Sequence, residues 1–328
     1  MTRFTKALFE ACVTESMLSP SVHNTQPARW RLANDGAVEL SCDPRAAVPV
    51  ADPSGHDLLL SCGTALEGMC IALSRHELTA EVDLTGDRID GSAIARVRIG
   101  GPGTPDPLCD AVEKRFTCRG GFAPVLPADV DHLQSWAAGQ ASVHLVTRRE
   151  RIQDIAALND ELSAEVFRDA AFRKELLHWC RLRPSHPRWS HDGLNAKAMS
   201  LGAFEARLMP LALSGPVFGF MKLVGMDRLL SAEHGKTETA AAVVFLSCLA
   251  AASPVLAGRS HYRMCLSLAK IGFSTWPMSV LVDRKTARDA FSREFGLAKT
   301  DRLVSCLRVG RAASLQPVRA RRPISACP

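Results

Sequence analysis

The chain has 328 residues, of which 47% are hydrophobic, and its formal net charge is +6. This length can bury a large core and leaves one or two domains open. The mild charge and the single tyrosine argue against a nucleic-acid face with interleaved aromatic side chains. Eleven cysteines without a CxxC pair or a zinc-type spacing predict reduced thiols and no metal site. The N-terminus shows no secretory signal, so we expect a cytoplasmic protein.

The first hundred residues predict helices around a small sheet. In chain order the patterns indicate a helix over 4–18, a rigid loop over 19–27, a β-hairpin over 30–41, a helix over 57–73, strands over 79–84 and 95–99, and a linker rich in glycine and proline over 100–107.

The loop 19–27 (SPSVHNTQP) is the most distinctive stretch. Its two X-Pro steps bias Ser19 and Gln26 towards extended backbone, so the loop should display short polar side chains and backbone N–H groups. Such a loop either caps another element or binds a ligand.

A similar order of elements begins again after the linker. The patterns predict helices over 107–115, 127–138, 256–269 and 286–295, and strands over 142–146, 242–246, 278–283 and 304–309. Gly63 and Gly258 each precede a similar apolar triplet in a long helix. We therefore expect a diverged internal duplication, with chance alternation of α and β elements as the alternative.

Residues 161–234 have no counterpart in the first half and predict an insertion that covers a functional site. The insertion starts in a charged helix over 155–177 and ends in an apolar run, 208–226, that Pro210 and Pro216 interrupt. The run is typical of irregular cover and not of a membrane span, and 240–257, which contains Pro254, favours a strand followed by a loop. The sequence predicts no membrane span.

Four motifs together resemble those of the nitroreductase-like FMN flavoproteins, specifically the Acg-like branch. They are 20–27 (PSVHNTQP), 115–119 (RFTCR), 272–278 (GFSTWPM) and 307–311 (LRVGR). The resemblance implies an α+β, nitroreductase-like fold whose two diverged halves, 1–106 and 107–328, form a pseudo-dimer in one chain. Each half would be a mixed sheet flanked by helices, with 161–234 as a lid. One flavin site per chain follows, because only the first half has the proline loop and only the second has the arginine motif.

The resemblance also implies which residues bind FMN. Arg115, Arg319 and Arg321 would hold the phosphate, and Arg119 would stabilise negative charge at the pyrimidine edge. The full set of expected cofactor-binding residues is Pro20, Ser21, Val22, Asn24, Arg115, Phe116, Thr117, Arg119, Pro277, Met278, Ser279, Arg319 and Arg321. The alternatives are a solvated basic tail at 319–322 and a loop that prolines merely fix in place.

Several features leave the chemistry open. The backbone of 277–279 would face flavin N5, where many relatives carry an acidic residue and this chain has Ser279. Cys118 either lies close to the flavin or only packs, and His23 either serves the site or is satisfied by backbone. No catalytic side chain is indicated.

Three functions remain open on this basis. The first is an FMN-dependent oxidoreductase that transfers hydride through flavin N5 on a small organic substrate, with NAD(P)H as a possible reductant. The second is a protein that sequesters FMN under a closed lid with little turnover. A hydrolase rests only on pairs such as Ser21 with His23, outside any Gly-x-Ser-x-Gly turn, and ranks far below. The chain would be a monomer as a pseudo-dimer, or a homodimer of such monomers.

Overall fold

The structure is a computed structural model that describes residues 4–313 and 319–324. Its strands are β1 (Ala28–Leu32), β2 (Val38–Cys42), β3 (Leu78–Leu84), β4 (Ala93–Pro102), β5 (Val143–Val146), β6 (Cys180–Arg181), β7 (Leu194–Asn195), β8 (Ala242–Leu249), β9 (Ser274–Pro277) and β10 (Asp301–Gly310). Its α-helices are α1 (Lys6–Ser16), α2 (His56–Arg75), α3 (Pro127–Ala138), α4 (Arg149–Arg168), α5 (Ala170–Trp179), α6 (Ala203–Ala212), α7 (Gly215–Leu223), α8 (His234–Thr237), α9 (Pro254–Lys270), α10 (Val280–Asp283) and α11 (Lys285–Glu294). The α+β class expected from the sequence is confirmed.

The two larger sheets share one topology. The first is antiparallel in the order β1-β2-β4-β3, and the second is antiparallel in the order β5-β8-β10-β9. In each, the chain runs through two strands, a long helix and two more strands, and the last strand pairs with the second. This shared order supports the predicted duplication, which remains an inference.

Each sheet buries apolar side chains against its helices. Trp30, Leu40 and Leu66 belong to a core between the first sheet and α2. Along β8, Val244 and Leu246 enter one core and Val243 and Phe245 enter another, so both faces of the second sheet are covered. This alternation is the period of two that a strand imposes on its side chains.

The long helices α2 and α9 pack together through two glycines. A Cβ on Gly63 would lie 2.0 Å from the carbonyl oxygen of Val255, and a Cβ on Gly258 would lie 2.0 Å from that of Leu60. The contact is reciprocal, since each glycine meets the residue three positions before the other. The absence of both side chains lets the two halves approach at backbone distance.

Two of the helices and strands predicted outside the insertion are wrong. Residues 107–115 form only a short 3₁₀ helix, Cys109–Ala111, because the adjacent residues Leu108, Cys109, Ala111 and Val112 all bury and leave no exposed helical face. The strand predicted over 278–283 is β9, four residues earlier. Pro277 is the last residue of β9 to pair with β10. The apolar residues that follow it are buried from the helical turn α10 instead of from a strand.

The insertion is more helical than the sequence suggested. The helix predicted over 155–177 is divided at Asp169, whose carboxylate accepts a hydrogen bond from the Ala171 N–H at 2.8 Å and so begins α5. The apolar run 208–226 is not irregular but lies mostly in α6 and α7, and Pro210 is accommodated inside α6. The expected linker is also shorter, because β4 extends to Pro102.

One helix within the described residues, α2, is long and apolar enough to cross a membrane by length and composition. Of its 18-residue apolar window, 78% is buried inside the protein, as is usual for the central helix of a folded core.

Candidate binding site between the two halves

The loop 19–27 is held against the first turns of α2. Its Val22 N–H donates to Ser61 Oγ at 2.9 Å, and the Thr64 hydroxyl donates to the Pro20 carbonyl at 2.6 Å. Within the loop, Ser21 Oγ accepts from the Gln26 N–H at 3.0 Å. The loop is therefore fixed by hydrogen bonds, and the extended backbone predicted at Gln26 is wrong, since Gln26 has φ +52°.

Two amide side chains connect the loop to the insertion and to the C-terminal segment 319–324. Asn24 Nδ2 donates to the carbonyls of Gly193 and Ala320 at 3.2 and 3.1 Å, and Asn24 Oδ1 accepts from Arg321 at 2.9 Å. Gln26 Nε2 donates to the His191 carbonyl at 2.8 Å. Both polar atoms of the Asn24 side chain therefore hydrogen-bond to other protein groups, and Asn24 positions Arg321 in the site.

Arg115, Arg319 and Arg321, called the arginine cluster below, converge beside this loop. The guanidinium groups of Arg115 and Arg321 donate to the same Leu18 carbonyl oxygen, at 2.9 and 3.1 Å. Arg319 donates to the Arg115 carbonyl at 3.1 Å. The structure brings Arg115 together with Arg319 and Arg321, although Arg319 lies 204 positions after Arg115 in the sequence.

The arginine cluster lacks an acidic counterpart in the part of the chain that the structure describes. Among the described residues no carboxylate lies within 4.0 Å of any of the three guanidinium groups, although neighbouring Arg322 pairs with Asp192 at 3.0 Å. The Nε atoms of all three are buried without a partner. Burial, and then the charges of Arg115 and Arg319, lower the pKa of Arg321 to about 9. Cations held this way favour an anion between them.

Tyr262 of α9 is a residue that sequence reasoning missed. Its side chain is 0% exposed, and its hydroxyl has no hydrogen-bond partner within 4–313 and 319–324. The guanidinium carbon of Arg115 lies 6.0 Å from its ring centroid. Burial raises the pKa of Tyr262 to about 12, which the charges of Arg115 and Arg321 oppose. The phenol is therefore a neutral donor beside the arginine cluster, and its being the only tyrosine was the available signal.

His23 and Arg119 lie close enough to interact electrostatically. Burial, and then the charge of Arg119, lower the pKa of His23 to about 4, so the imidazole is neutral at pH 7. Burial also lowers the pKa of Arg119, with Glu233 acting in the opposite direction. Glu233 itself pairs with Arg308 at 2.9 Å, and no ion pair of Arg119 is formed with a described residue.

The segment 115–119 is extended and joins the edge of the second sheet. The Cys118 N–H donates to the Thr275 carbonyl at 2.9 Å, and Thr117 forms a bridge with the same residue. Cys118 is 7% exposed and packs with Phe122, while Phe116 lies against that cluster. Burial raises the pKa of Cys118, which keeps the thiol protonated. The packing alternative for Cys118 is favoured.

In the segment 277–279, only one backbone donor is left for a ligand. Pro277 has no N–H, and the Met278 N–H donates to the Cys306 carbonyl at 2.8 Å while the Met278 side chain is buried in the core. Ser279 is exposed at the start of α10. Of the three residues expected at flavin N5, Ser279 is the one whose N–H remains a candidate.

Two carboxyl groups lie near this segment. Burial, and then the charges of Asp283 and Asp52, raise the pKa of Asp57 well above its usual value. The pKa of Asp283 is also raised, by burial first, although a hydrogen bond from Ser279 opposes the shift. No sequence motif indicated Asp57 or Asp283.

The insertion contacts the C-terminal segment through Asp192, which is 0% exposed. Asp192 accepts hydrogen bonds from Arg181 at 2.9 Å, from Arg322 at 3.0 Å and from Arg188. The next residue, Gly193, has φ +70°, and a Cβ there would lie 2.3 Å from the Trp179 carbonyl. This ion group fastens the insertion to the C-terminal segment directly beside the loop.

The structure therefore assembles the expected residues in two groups. In the first group, the loop, the arginine cluster and the insertion contact one another directly. In the second, 277–279 adjoins α2 through the carboxyl groups of Asp57 and Asp283. A surface cleft of about 530 Å³ lined by Trp30, Asp43 and Arg45 lies on the first sheet and includes none of the expected residues.

Comparison with known proteins confirms the resemblance. The chain is 25% identical over 341 residues to the putative NAD(P)H nitroreductase acg of Mycobacterium tuberculosis, covering 98% of this chain and 96% of that protein. It is 30% identical over 174 residues to another putative NAD(P)H nitroreductase of the same organism, covering 51% of this chain, and the match spans about half (49%) of that relative. No family model matches.

Among solved structures, the chain is similar to the FMN-dependent nitroreductase NfnB from Mycobacterium smegmatis in complex with NADPH. The identity is 17%, the match covers 63% of this chain and 89% of that one, and the TM-score is 0.33. A likeness this distant supports no statement about the site.

Proposed function

We propose that this protein is an FMN-dependent oxidoreductase with one flavin site per chain that acts on a small organic substrate. The observation that carries the proposal is the arginine cluster without a carboxylate partner among the described residues. Buried cations are costly unless an anion compensates them, and planar guanidinium groups match a phosphate. The FMN phosphate is such an anion, and the names of the curated relatives support NAD(P)H as the reductant.

The other residues fit the demands of a flavin. Arg119 would stabilise negative charge at the pyrimidine edge, and the Ser279 N–H would donate at N5. The loop residues Pro20, Ser21 and Val22 would cover the ring from the first half. Tyr262 would add a fourth donor to the phosphate. FMN, once bound, supplies the N5 atom that accepts hydride, and the protein contributes position and electrostatics.

The test is a titration of apoprotein with FMN and with riboflavin, followed by flavin fluorescence. We expect FMN to bind at least about a hundredfold more tightly than riboflavin, since several charge-assisted hydrogen bonds of about 1.5–3 kcal/mol each depend on the phosphate. Anaerobic addition of NADPH or NADH should then bleach the flavin. A protein that binds neither flavin would overturn the proposal.

The ion group around Asp192 favours a second candidate, the sequestration of FMN. Because Asp192 is fully buried among three arginines, the insertion is a firmly attached cover that would exclude a nicotinamide ring. Sequestration predicts tight FMN binding without bleaching by either nucleotide. Bleaching within seconds would exclude it, so one experiment separates the two candidates.

A further inference from the structure

The exposed apolar side chains are concentrated in one part of the insertion. Of the twelve large apolar side chains exposed in the described residues, eight lie between 204 and 229. They are Phe204, Leu208, Leu211, Phe220, Leu223, Val224, Met226 and Leu229. Scattered exposed apolar residues are normal, but a concentrated set marks an interaction surface. We call this set the apolar surface.

Helical spacing places these side chains in rows. On α6, Phe204, Leu208 and Leu211 recur at i, i+4 and i+7 and so share one face. On α7, Phe220 (64% exposed) and Leu223 (83% exposed) are three residues apart. The two helices contact each other, so the rows are neighbours.

The inner faces of both helices are already packed. Ala206 and Leu213 are buried, and Phe218 is 4% exposed with the guanidinium carbon of Arg173 lying 3.8 Å from its ring centroid. The apolar surface is therefore a second face of these helices. Rotating the helices to bury it would expose Phe218 instead.

The exposed charges on this surface are mostly positive, since Glu205 is the one exposed acid between 204 and 229. Between 206 and 226 the chain has two charged residues, Arg207 and Lys222, and both are exposed. Arg228 follows and is exposed, whereas the neighbouring Asp227 is buried and accepts a hydrogen bond from Arg168 at 3.0 Å. Exposed aromatic and aliphatic side chains with cations beside them are typical of helices that lie in a lipid interface.

We propose that the apolar surface docks on an anionic lipid membrane, with Phe220 and Leu223 entering the acyl boundary and Arg207 and Lys222 facing the headgroups. A second copy of this chain is a poorer occupant. A twofold contact would place the surface against itself, so Arg207, Lys222 and Arg228 would meet their own copies with Glu205 as the one exposed acid to pair them. Anionic lipid compensates those charges and takes up the apolar side chains together. The inference does not depend on the flavin.

Vesicle co-sedimentation tests the inference on the full-length protein. We expect the wild type to bind phosphatidylcholine vesicles that contain phosphatidylserine more tightly than pure phosphatidylcholine, with the excess removed by salt. Phe220→Ser/Leu223→Ser should weaken binding to the anionic vesicles at least about tenfold, because each side chain loses its burial in lipid. Arg207→Gln/Lys222→Gln should remove most of the preference for anionic vesicles.

A matched control uses apolar side chains that are equally exposed elsewhere. Leu126 and Leu249 are 57% and 62% exposed, outside the apolar surface, so Leu126→Ser/Leu249→Ser should leave vesicle binding unchanged. The proposal is overturned if the wild type stays in the supernatant with anionic vesicles or if the control loses as much binding. It is also overturned if sedimentation velocity shows a dimer that Phe220→Ser/Leu223→Ser dissociates, which would assign the surface to a second copy. Circular dichroism verifies that each variant is folded.

Discussion

The guanidinium groups of Arg115 and Arg321 share a single acceptor, the carbonyl oxygen of Leu18, at 2.9 and 3.1 Å. Two like charges that converge on a neutral oxygen repel each other, and this repulsion contributes to the low pKa of Arg321. Arg115 belongs to the second half and Leu18 to the first, so the anion site would also join the halves. Ligand binding and the contact between halves are therefore expected to be coupled.

Arg321→Met tests the phosphate role. We expect FMN affinity to fall about ten- to a hundredfold, the loss of one charge-assisted hydrogen bond of about 1.5–3 kcal/mol, while riboflavin affinity stays the same. The apoprotein should not lose stability. Removing the guanidinium removes the cost of burying its charge and the repulsion from the neighbouring arginines, and this gain offsets the lost hydrogen bonds. Fluorescence titration and urea unfolding measure the two quantities. Arg88→Met, at an exposed arginine outside the site, is the control. An equal loss for FMN and riboflavin would contradict the assignment.

Tyr262→Phe removes a buried hydroxyl that has no partner in the described structure. We expect the free energy of unfolding of the apoprotein to rise by about 1 kcal/mol, since an unpaired buried donor costs that much or more. FMN affinity should fall about five- to tenfold and riboflavin affinity should not change. Trp30→Phe, which removes another buried and unpaired N–H far from the arginine cluster, should leave both affinities unchanged. Unaltered FMN affinity in Tyr262→Phe would remove this residue from the site.

The glycine contact between α2 and α9 predicts strong steric effects. Gly63→Ala and Gly258→Ala should each destabilise the protein by about 3 kcal/mol or more, because the new Cβ would lie 2.0 Å from a backbone oxygen that cannot move alone. Gly219→Ala in α7 is the matched control, since nothing lies within 4 Å of its Cβ position, and it should stabilise the helix by about 0.5–1 kcal/mol. Urea unfolding measures all three. A loss below about 1 kcal/mol for Gly258→Ala would refute the close contact.

The sequence was most informative where a local rule applies. The continuous apolar run 242–246 predicted β8, and the sequence already related Gly63 to Gly258 through the similar triplets that follow them. Sequence could not reveal that Leu18, Arg115 and Arg321 meet, since no local pattern relates positions so distant; only the resemblance suggested it. Tyr262 was missed because a tyrosine in an apolar helix is usually core. The turn α10 was mistaken for a strand because an apolar run as short as 280–282 fits either structure.

Two partly buried histidines, His23 and His261, predict a pH dependence of stability. Burial lowers the pKa of His23 and of His261 to about 4, with Arg119 and Arg115 as the respective second causes. The unfolded chain then binds more protons between about pH 6.5 and 4, so stability is complete above this window and falls as the pH decreases through it. The loss is on the order of 2–3 kcal/mol for each histidine. The raised pKa values of Asp57 and Asp283 act in the opposite sense.

A difference measurement isolates the histidines from those carboxyl groups. Urea unfolding of the wild type and of His261→Asn from pH 7 to pH 4.5 should show a shallower decline in the variant. His76→Asn, in the turn that ends α2, should follow the wild type. Parallel curves for the wild type and His261→Asn would show that this imidazole is not buried in the neutral form.

Asp192→Asn tests whether the insertion is a fixed cover. The change removes the charge that three arginines share, and it leaves Arg181, which is 2% exposed, without a compensating anion. Loss of one member of a buried ion pair costs about 3–5 kcal/mol, so this part of the insertion should detach before the rest of the protein unfolds. We expect faster dissociation of FMN in stopped-flow dilution and faster bleaching by NADPH, with little change in the spectrum of the bound flavin. Asp154→Asn, at an exposed ion pair on α4, should change neither rate. If Asp192→Asn leaves both rates as in the wild type, the ion group does not control access to the flavin, and the sequestration candidate loses its structural basis.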